Sequence, residues 1–202
     1  MTIKKLLLAK FLVFILLSNI YAGDQIKLYI NKYKNIQSFK AKFIQKKRLS
    51  VLKNEQLSYG QIKFKKKDKV LWELEKPYSY KFILNGKKIY KIYPQLMEKE
   101  EYNLDENKQF KILFDNIFLL MGQKSLGEIK KNYNVTSGDK WIKLIPRPKN
   151  YKKYMSYILL KFNDKDLIKS IKLAEPKGDY TFITFYDIEL NKDIKDSMFS
   201  SD

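Results

Sequence analysis

The sequence predicts a mainly β fold, one antiparallel sheet of about eleven strands accompanied by two helices. Three observations carry this prediction. Apolar and polar side chains alternate through short segments from Ser38 to Pro94. The alternation resumes from Tyr133 to Leu190. Between them, from Phe110 to Met121, the apolar spacing changes to threes and fours. Period two marks a strand with one dry and one wet face, and a three-and-four spacing marks an amphipathic helix.

The elements follow in order. Ile26, Tyr29, Ile30 and Tyr33, extended by Ile36, have helical spacing, with Asp24 as N-cap. Phe39–Arg48 and Leu57–Lys66 are two long strands joined by the polar loop Ser50–Gln56. A charged turn, Lys65–Lys69, leads into a strand with Val70, Trp72 and Leu74 on one face and Leu71 and Glu73 on the other. Pro77 ends it, because proline cannot donate to a ladder. Tyr80, Phe82 and Leu84 alternate next. Asn85-Gly86 is a hairpin turn whose residues tolerate positive φ. Tyr90 and Ile92 then face one way and Lys91 the other, and Met97–Tyr102 adds a short strand. The helix through Phe110, Leu113, Phe114, Ile117, Leu120 and Met121 stops at Gly122. Five further strands are expected at Tyr133–Val135, Trp141–Ile145, Tyr157–Phe162, Leu167–Leu173 and Tyr180–Leu190. Pro146 and Pro148 bracket a loop rich in lysine and tyrosine. A sheet this large twists and curls, leaving a concave apolar trough that a helix covers or a ligand fills. The Phe110–Met121 helix is therefore either simply packed on the sheet or a lid over a cavity.

Residues 1–22 have the layout of a secretory signal peptide: basic Lys4 and Lys5, an apolar run from Leu6 to Leu17, and a small-residue end at Ala22, where cleavage is expected. The competing reading is an uncleaved anchor, but the apolar run falls short of the ~20 residues a spanning helix needs. About 180 residues then remain, enough for one domain with a sizeable core. The chain has no cysteine, so no lipid can be attached behind the leader, and the exported protein is expected to be soluble.

The formal charge is +19, of which Lys4, Lys5 and Lys10 in the leader supply three, leaving +16 (19 minus 3). Arg48 and Arg147 are the only arginines, whereas nucleic-acid readers favour arginine for bidentate contacts. The lysines sit largely at alternate strand positions, which reads as a solvated outer face and speaks against a nucleic-acid partner. Weak attraction to anionic membrane surfaces is the lesser reading.

Histidine and cysteine are both absent, which removes the usual general base, the thiol nucleophile and most transition-metal ligands. No glycine-rich phosphate loop and no Gly-x-Ser-x-Gly motif is present. Glu98, Glu100 and Glu101 fall in a charged stretch that reads as a solvated face. An enzyme, a cofactor and a metal site are not expected.

Ser38-Phe39-Lys40-Ala41-Lys42-Phe43-Ile44-Gln45, the run Gly60 to Pro77 with Trp72 in register, and the stretch Asn85 to Pro94 together resemble the LolA family of periplasmic lipoprotein carriers. The closing strand with Asn191 and Phe199 is similar to the family's end. The resemblance covers nearly all of residues 23–202, which it identifies as one lipoprotein-carrier domain. It implies a mainly β fold with two to three helices, an unclosed antiparallel β-barrel of about eleven strands covered by an α-helical lid. It implies a monomeric periplasmic chaperone that takes lipoproteins by their acyl chains from an inner-membrane lipoprotein-releasing ABC transporter complex. The cargo then passes to an outer-membrane receptor or to the outer membrane itself. A lipid or glycolipid shuttle, or a membrane-stress sensor, is the alternative on the same fold.

The cavity implied by the resemblance is lined by Phe43, Phe64, Val70, Trp72, Leu74, Phe82, Tyr90 and Ile92 from the strands and by Leu113, Phe114, Ile117 and Met121 from the helix. Trp72 matches a cavity tryptophan of the family, and Val70 a cavity phenylalanine. Lys66 stands where the family has an arginine that bonds lid carbonyls and latches the empty form, and Lys67 stands where it has proline. Lysine keeps the charge but loses the planar fork, so the latch is either weaker or built differently.

Overall fold

The computed structural model describes residues 25–66 and 68–201. The leader, the Asp24 cap and Lys67 lie outside the described residues. Helix α1 covers residues 25–33. Its three-and-four spacing buries Ile26, Tyr29 and Tyr33, and Ile36 beyond its end is buried with them.

Eleven strands follow: β1 Ser38–Arg48, β2 Gln56–Lys65, β3 Lys69–Lys76, β4 Tyr80–Asn85, β5 Lys88–Tyr93, β6 Glu98–Asn103, β7 Tyr133–Gly138, β8 Trp141–Pro146, β9 Tyr157–Phe162, β10 Ile168–Ala174 and β11 Tyr180–Leu190. They form one sheet in the order β6-β5-β4-β3-β2-β1-β11-β10-β9-β8-β7. Every neighbouring pair is antiparallel. The first and last strands in the chain therefore pair at the centre, and two meanders run outward from them. One wing is β1–β6 and the other β11–β7. The sheet is open, with β6 and β7 as its edges.

This order decides where the helices go. The chain leaves one edge at β6 and re-enters at the other edge as β7, so the connecting segment must cross from wing to wing. Helices α2 (Lys108–Leu120) and α3 (Leu126–Asn132) make that crossing. Phe110 of α2 packs on Phe82 and Tyr102 of the first wing, at ring-centroid distances of 5.7 and 5.0 Å. Asn116 accepts a 2.8 Å hydrogen bond from the Tyr133 hydroxyl of the second wing.

Gly60 shows how the first wing packs its inner face. A Cβ there would lie 2.0 Å from the Glu73 carbonyl oxygen and 2.8 Å from the Phe43 ring. The bare position lets Phe43, its partner on β1, turn inward and stack on Trp72 at 4.3 Å.

The expected eleven strands and open antiparallel architecture are what the structure has, and the described residues contain four α-helices where the periodicity marks two and the resemblance implies two to three. Two were missed. α3 carries a full capping box, in which Ser125 accepts from the Glu128 amide and the Glu128 carboxylate accepts from the Ser125 amide. The Ser-x-x-Glu signal stands in the sequence. The fourth, α4 (Lys149–Lys152), is a single turn inside the expected loop after Pro148, too short for periodicity to register.

A second difference concerns the wet face. Leu71 and Ile83 are buried on the outer side of the sheet beneath Ile194 and Phe199, with Tyr90 and Ile92 packed against them. A 3-10 turn at Asp196–Phe199 lays this C-terminal segment across β3 and β4. Asp196 fastens it by ion pairs to Lys65 (2.7 Å) and Lys69 (2.9 Å). These two ammonium groups hold the Asp196 carboxyl down at about 2.

Candidate functional site: an apolar trough beneath α2

A cavity of about 280 Å³ lies between α2 and the inner face of the sheet. Of the expected lining residues, Trp72, Phe82, Leu113, Phe114, Ile117 and Met121 form its wall. Phe43 stands directly behind the wall, stacked on Trp72. Phe64, Val70 and Leu74 are buried in the core that supports the wall and do not line the cavity.

Tyr90 and Ile92 do not face the trough, which corrects their expected place. Leu84 and Ile89 pair across β4 and β5 and point inward, so the alternation turns Tyr90 and Ile92 outward onto Leu71 and Ile83. β5 is apolar on both sides because the C-terminal segment covers its outer face. Local alternation alone could not tell the two faces apart.

Besides Ile62, Tyr80 and Leu120, the wall takes Ile171, Leu173, Ile183 and Phe185 from the second wing. These residues were not anticipated, although their period-two spacing on β10 and β11 is as regular as that of the first wing. Gln45, Asn116, Glu175 and Thr181 are the polar groups of the lining. A second hollow of about 380 Å³ shares Leu113, Asn116, Leu173 and Glu175 with the first and extends along α2 to Met155 and Ala174. Leu113 of the wall is 37 % exposed, while Phe114 beside it is 1 % exposed, so the trough opens to the outside along the Leu113 flank of α2.

The ends of the lid are fastened by polar contacts. The Tyr151 hydroxyl donates to Asp115 at 3.1 Å, and Lys124 pairs with Asp115 at 3.0 Å. Burial pushes the Tyr151 hydroxyl up to about 12 and the Tyr133 hydroxyl higher still, so both remain donors. At the C-terminal end of α2, Gly122 has φ +66, and the Tyr29 hydroxyl of α1 donates to the carbonyls of Leu119 (3.1 Å) and Leu120. Lys66 lies exposed in the β2–β3 turn, where its backbone N–H donates to the Gln37 carbonyl at 2.8 Å. Among the described residues, its side chain makes no hydrogen bond to α2. In this conformation Tyr29, not Lys66, bonds the lid carbonyls.

Among the described residues no cluster of three or more acidic side chains could hold a metal ion. No described helix is long and apolar enough to cross a membrane. A third hollow beside α1, about 360 Å³, is lined by Lys32, Asp139, Lys140 and Asp166 as well as Tyr29 and Phe162. Its mixed polar wall sets it apart from the trough.

The family model for the outer membrane lipoprotein carrier protein LolA matches residues 34–202. The chain is 27% identical over 191 residues to the outer-membrane lipoprotein carrier protein of Francisella tularensis subsp. novicida, covering 93% of this chain and 88% of the relative. It is 29% identical over 173 residues to the protein of the same description from Francisella philomiragia, covering 84% and 80%. Among solved structures, a LolA superfamily protein from Nitrosomonas europaea aligns over 90% of this chain and 98% of its own, with a TM-score of 0.46 and 11% identity. The lipoprotein LppX of Mycobacterium tuberculosis aligns over 85% and 96%, with a TM-score of 0.44 and 9% identity. With its strand order, its apolar trough and a match over residues 34–202, the chain belongs to the LolA family of outer membrane lipoprotein carrier proteins.

Proposed function

We propose that the protein is a periplasmic carrier that shelters the acyl chains of lipoproteins in the trough beneath α2 and moves them from the inner to the outer membrane. The observation that carries this reading is the cavity of about 280 Å³ walled by Trp72, Phe82 and Phe114 under a helix that bridges both wings.

The physical need is plain. Each methylene exposed to water costs ~0.8 kcal/mol, so a lipid anchor with dozens of them faces tens of kcal/mol in an aqueous compartment. An apolar trough removes most of that cost. The trough is small in this conformation, at the lower edge of the roughly 300–1,000 Å³ of ligand pockets. An anchor with several chains therefore requires α2 to move away from the sheet. That requirement is useful to a carrier. Phe114, Ile117 and Met121 are buried beneath the lid in this empty form, so closure competes with cargo and eases release.

In this reading the cargo arrives from an inner-membrane ABC transporter complex and leaves to an outer-membrane receptor or to the outer membrane itself, with the carrier a monomer throughout. The test is the identity of material that co-purifies with the protein from the periplasm, read by mass spectrometry. Lipidated protein is expected, together with retention of outer-membrane lipoproteins in the inner membrane when the carrier is depleted. Free lipid in place of lipidated protein, with lipoproteins sorted normally, would overturn it.

A further inference from the structure

We propose that Tyr29 is the latch of the lid: its hydroxyl closes the C-terminal end of α2, and breaking that bond is a step in loading. The inference rests on the carrier reading and adds the residue that sets how readily the trough opens.

A helix ends with carbonyls that have no partner inside it. At the end of α2 most find one in the turn. The Ile117 carbonyl accepts from the Met121 amide (2.9 Å), Phe118 from Gln123 (2.8 Å) and Leu119 from Gly122 (3.0 Å). This is a Schellman arrangement, and it depends on Gly122 in the left-handed region. The Met121 carbonyl accepts from the Gln123 side chain at 2.9 Å. The Leu120 carbonyl is the one that the turn does not reach, and Tyr29 donates to it.

The donor is held firmly. Tyr29 is 4 % exposed, and its ring packs on Tyr33 at 4.7 Å and Phe162 at 5.4 Å. Tyr33 in turn touches the helix end, since a Cβ on Gly122 would lie 2.4 Å from its own Cβ. Tyr33 is itself anchored, its hydroxyl accepting from the Ile168 amide at 2.8 Å. Helix α1 thus ties the end of the lid to β9 and β10. Burial keeps the Tyr29 hydroxyl protonated well above its ordinary range, so it stays a donor.

The bond matters in one state only. With the lid closed, the Leu120 carbonyl is sealed from water and needs Tyr29. With the lid open, water replaces the hydroxyl. Tyr29→Phe therefore penalises closure without altering a residue of the trough wall. Closure competes with cargo, so the variant is expected to bind an apolar ligand about tenfold more tightly than wild type.

The experiment measures binding of cis-parinaric acid by fluorescence in the full chain, wild type and Tyr29→Phe. Hydrogen exchange of the α2 amides, referenced to β1, accompanies it. Tighter binding together with faster exchange confined to α2 supports the latch. A tyrosine with a merely structural role would loosen β1 as well and weaken binding. Unchanged or weaker binding by Tyr29→Phe, with α2 exchange as in wild type, overturns it. So does tighter binding in Lys66→Leu with none in Tyr29→Phe, which would place the latch at Lys66. If wild type binds no probe and no lipidated protein is recovered, the carrier reading fails. In that case exchange in α2 alone decides whether Tyr29 holds the helix down.

Discussion

Phe114→Asp puts the apolar trough to its most direct test. Phe114 is 1 % exposed and forms part of the wall under α2. Removing a buried phenyl ring costs ~3–5 kcal/mol, and a carboxylate left there without a partner adds a desolvation cost of a further few kcal/mol. Some of this loss falls on the empty closed form, so the lid spends more time open. That alone would favour loading. The loaded form, however, presses the same wall against acyl chains, and the carboxylate is as poorly placed there. Relative to the open form, affinity is expected to fall by at least ~2.7 kcal/mol, about a hundredfold.

The pH dependence supplies a sign. Desolvation raises the pKa of the new carboxyl in the loaded form, so loading takes up a proton. Affinity should then be lowest near about pH 8 and recover as pH falls through the raised value, nearing completion only below the ordinary carboxylate range. Fluorescence titration with a fatty-acid probe at about pH 8 and about pH 5 reads both effects, with Phe114→Leu as the apolar control. Binding within about twofold of wild type at both pH values would show that Phe114 faces no ligand, and the assignment of the trough would fall.

Three further outcomes are expected. Gly122→Ala forces a left-handed residue to carry a Cβ 2.4 Å from that of Tyr33, and thermal unfolding should show a loss of at least ~2 kcal/mol. Ser125→Ala removes the acceptor of the 3.2 Å bond from the Glu128 amide, which should cost about 1 kcal/mol by denaturant titration, with α3 exchanging faster. Asp196 stabilises the C-terminal strap by having its carboxyl pKa depressed from 3.8 to about 2. Its contribution is therefore full above 3.8 and lost as pH falls through about 2. Asp196→Asn should remove that acid-range dependence and speed proteolysis of the C-terminal segment at neutral pH; a segment cleaved no faster would show that Lys65 and Lys69 do not hold it.

Much of the architecture was legible because strand and helix periods are local. Tyr157–Phe162 and Tyr180–Leu190 match their expected bounds, and the stop of α2 at Gly122 follows from a conformation that glycine alone adopts cheaply. Trp72, Phe82 and the inward face of α2 could be placed on the trough for the same reason. The face of β5 could not. Tyr90 and Ile92 are as apolar as Ile89, and only the fold reveals that Phe199, more than a hundred positions later, covers their side of the sheet.

The sequence by itself determined the eleven strands, the amphipathic character of α2 and the absence of histidine and cysteine chemistry, because each depends on residue type and near-neighbour spacing. The tertiary structure decided that α2 crosses between the two edge strands to roof a cavity, that half of the sheet's share of the wall comes from β10 and β11, and that Tyr29 closes the helix end. Those features arise from contacts between segments far apart in the chain. Tyr29 and Leu120 are 91 positions apart, and no local pattern records which hydroxyl will meet which carbonyl.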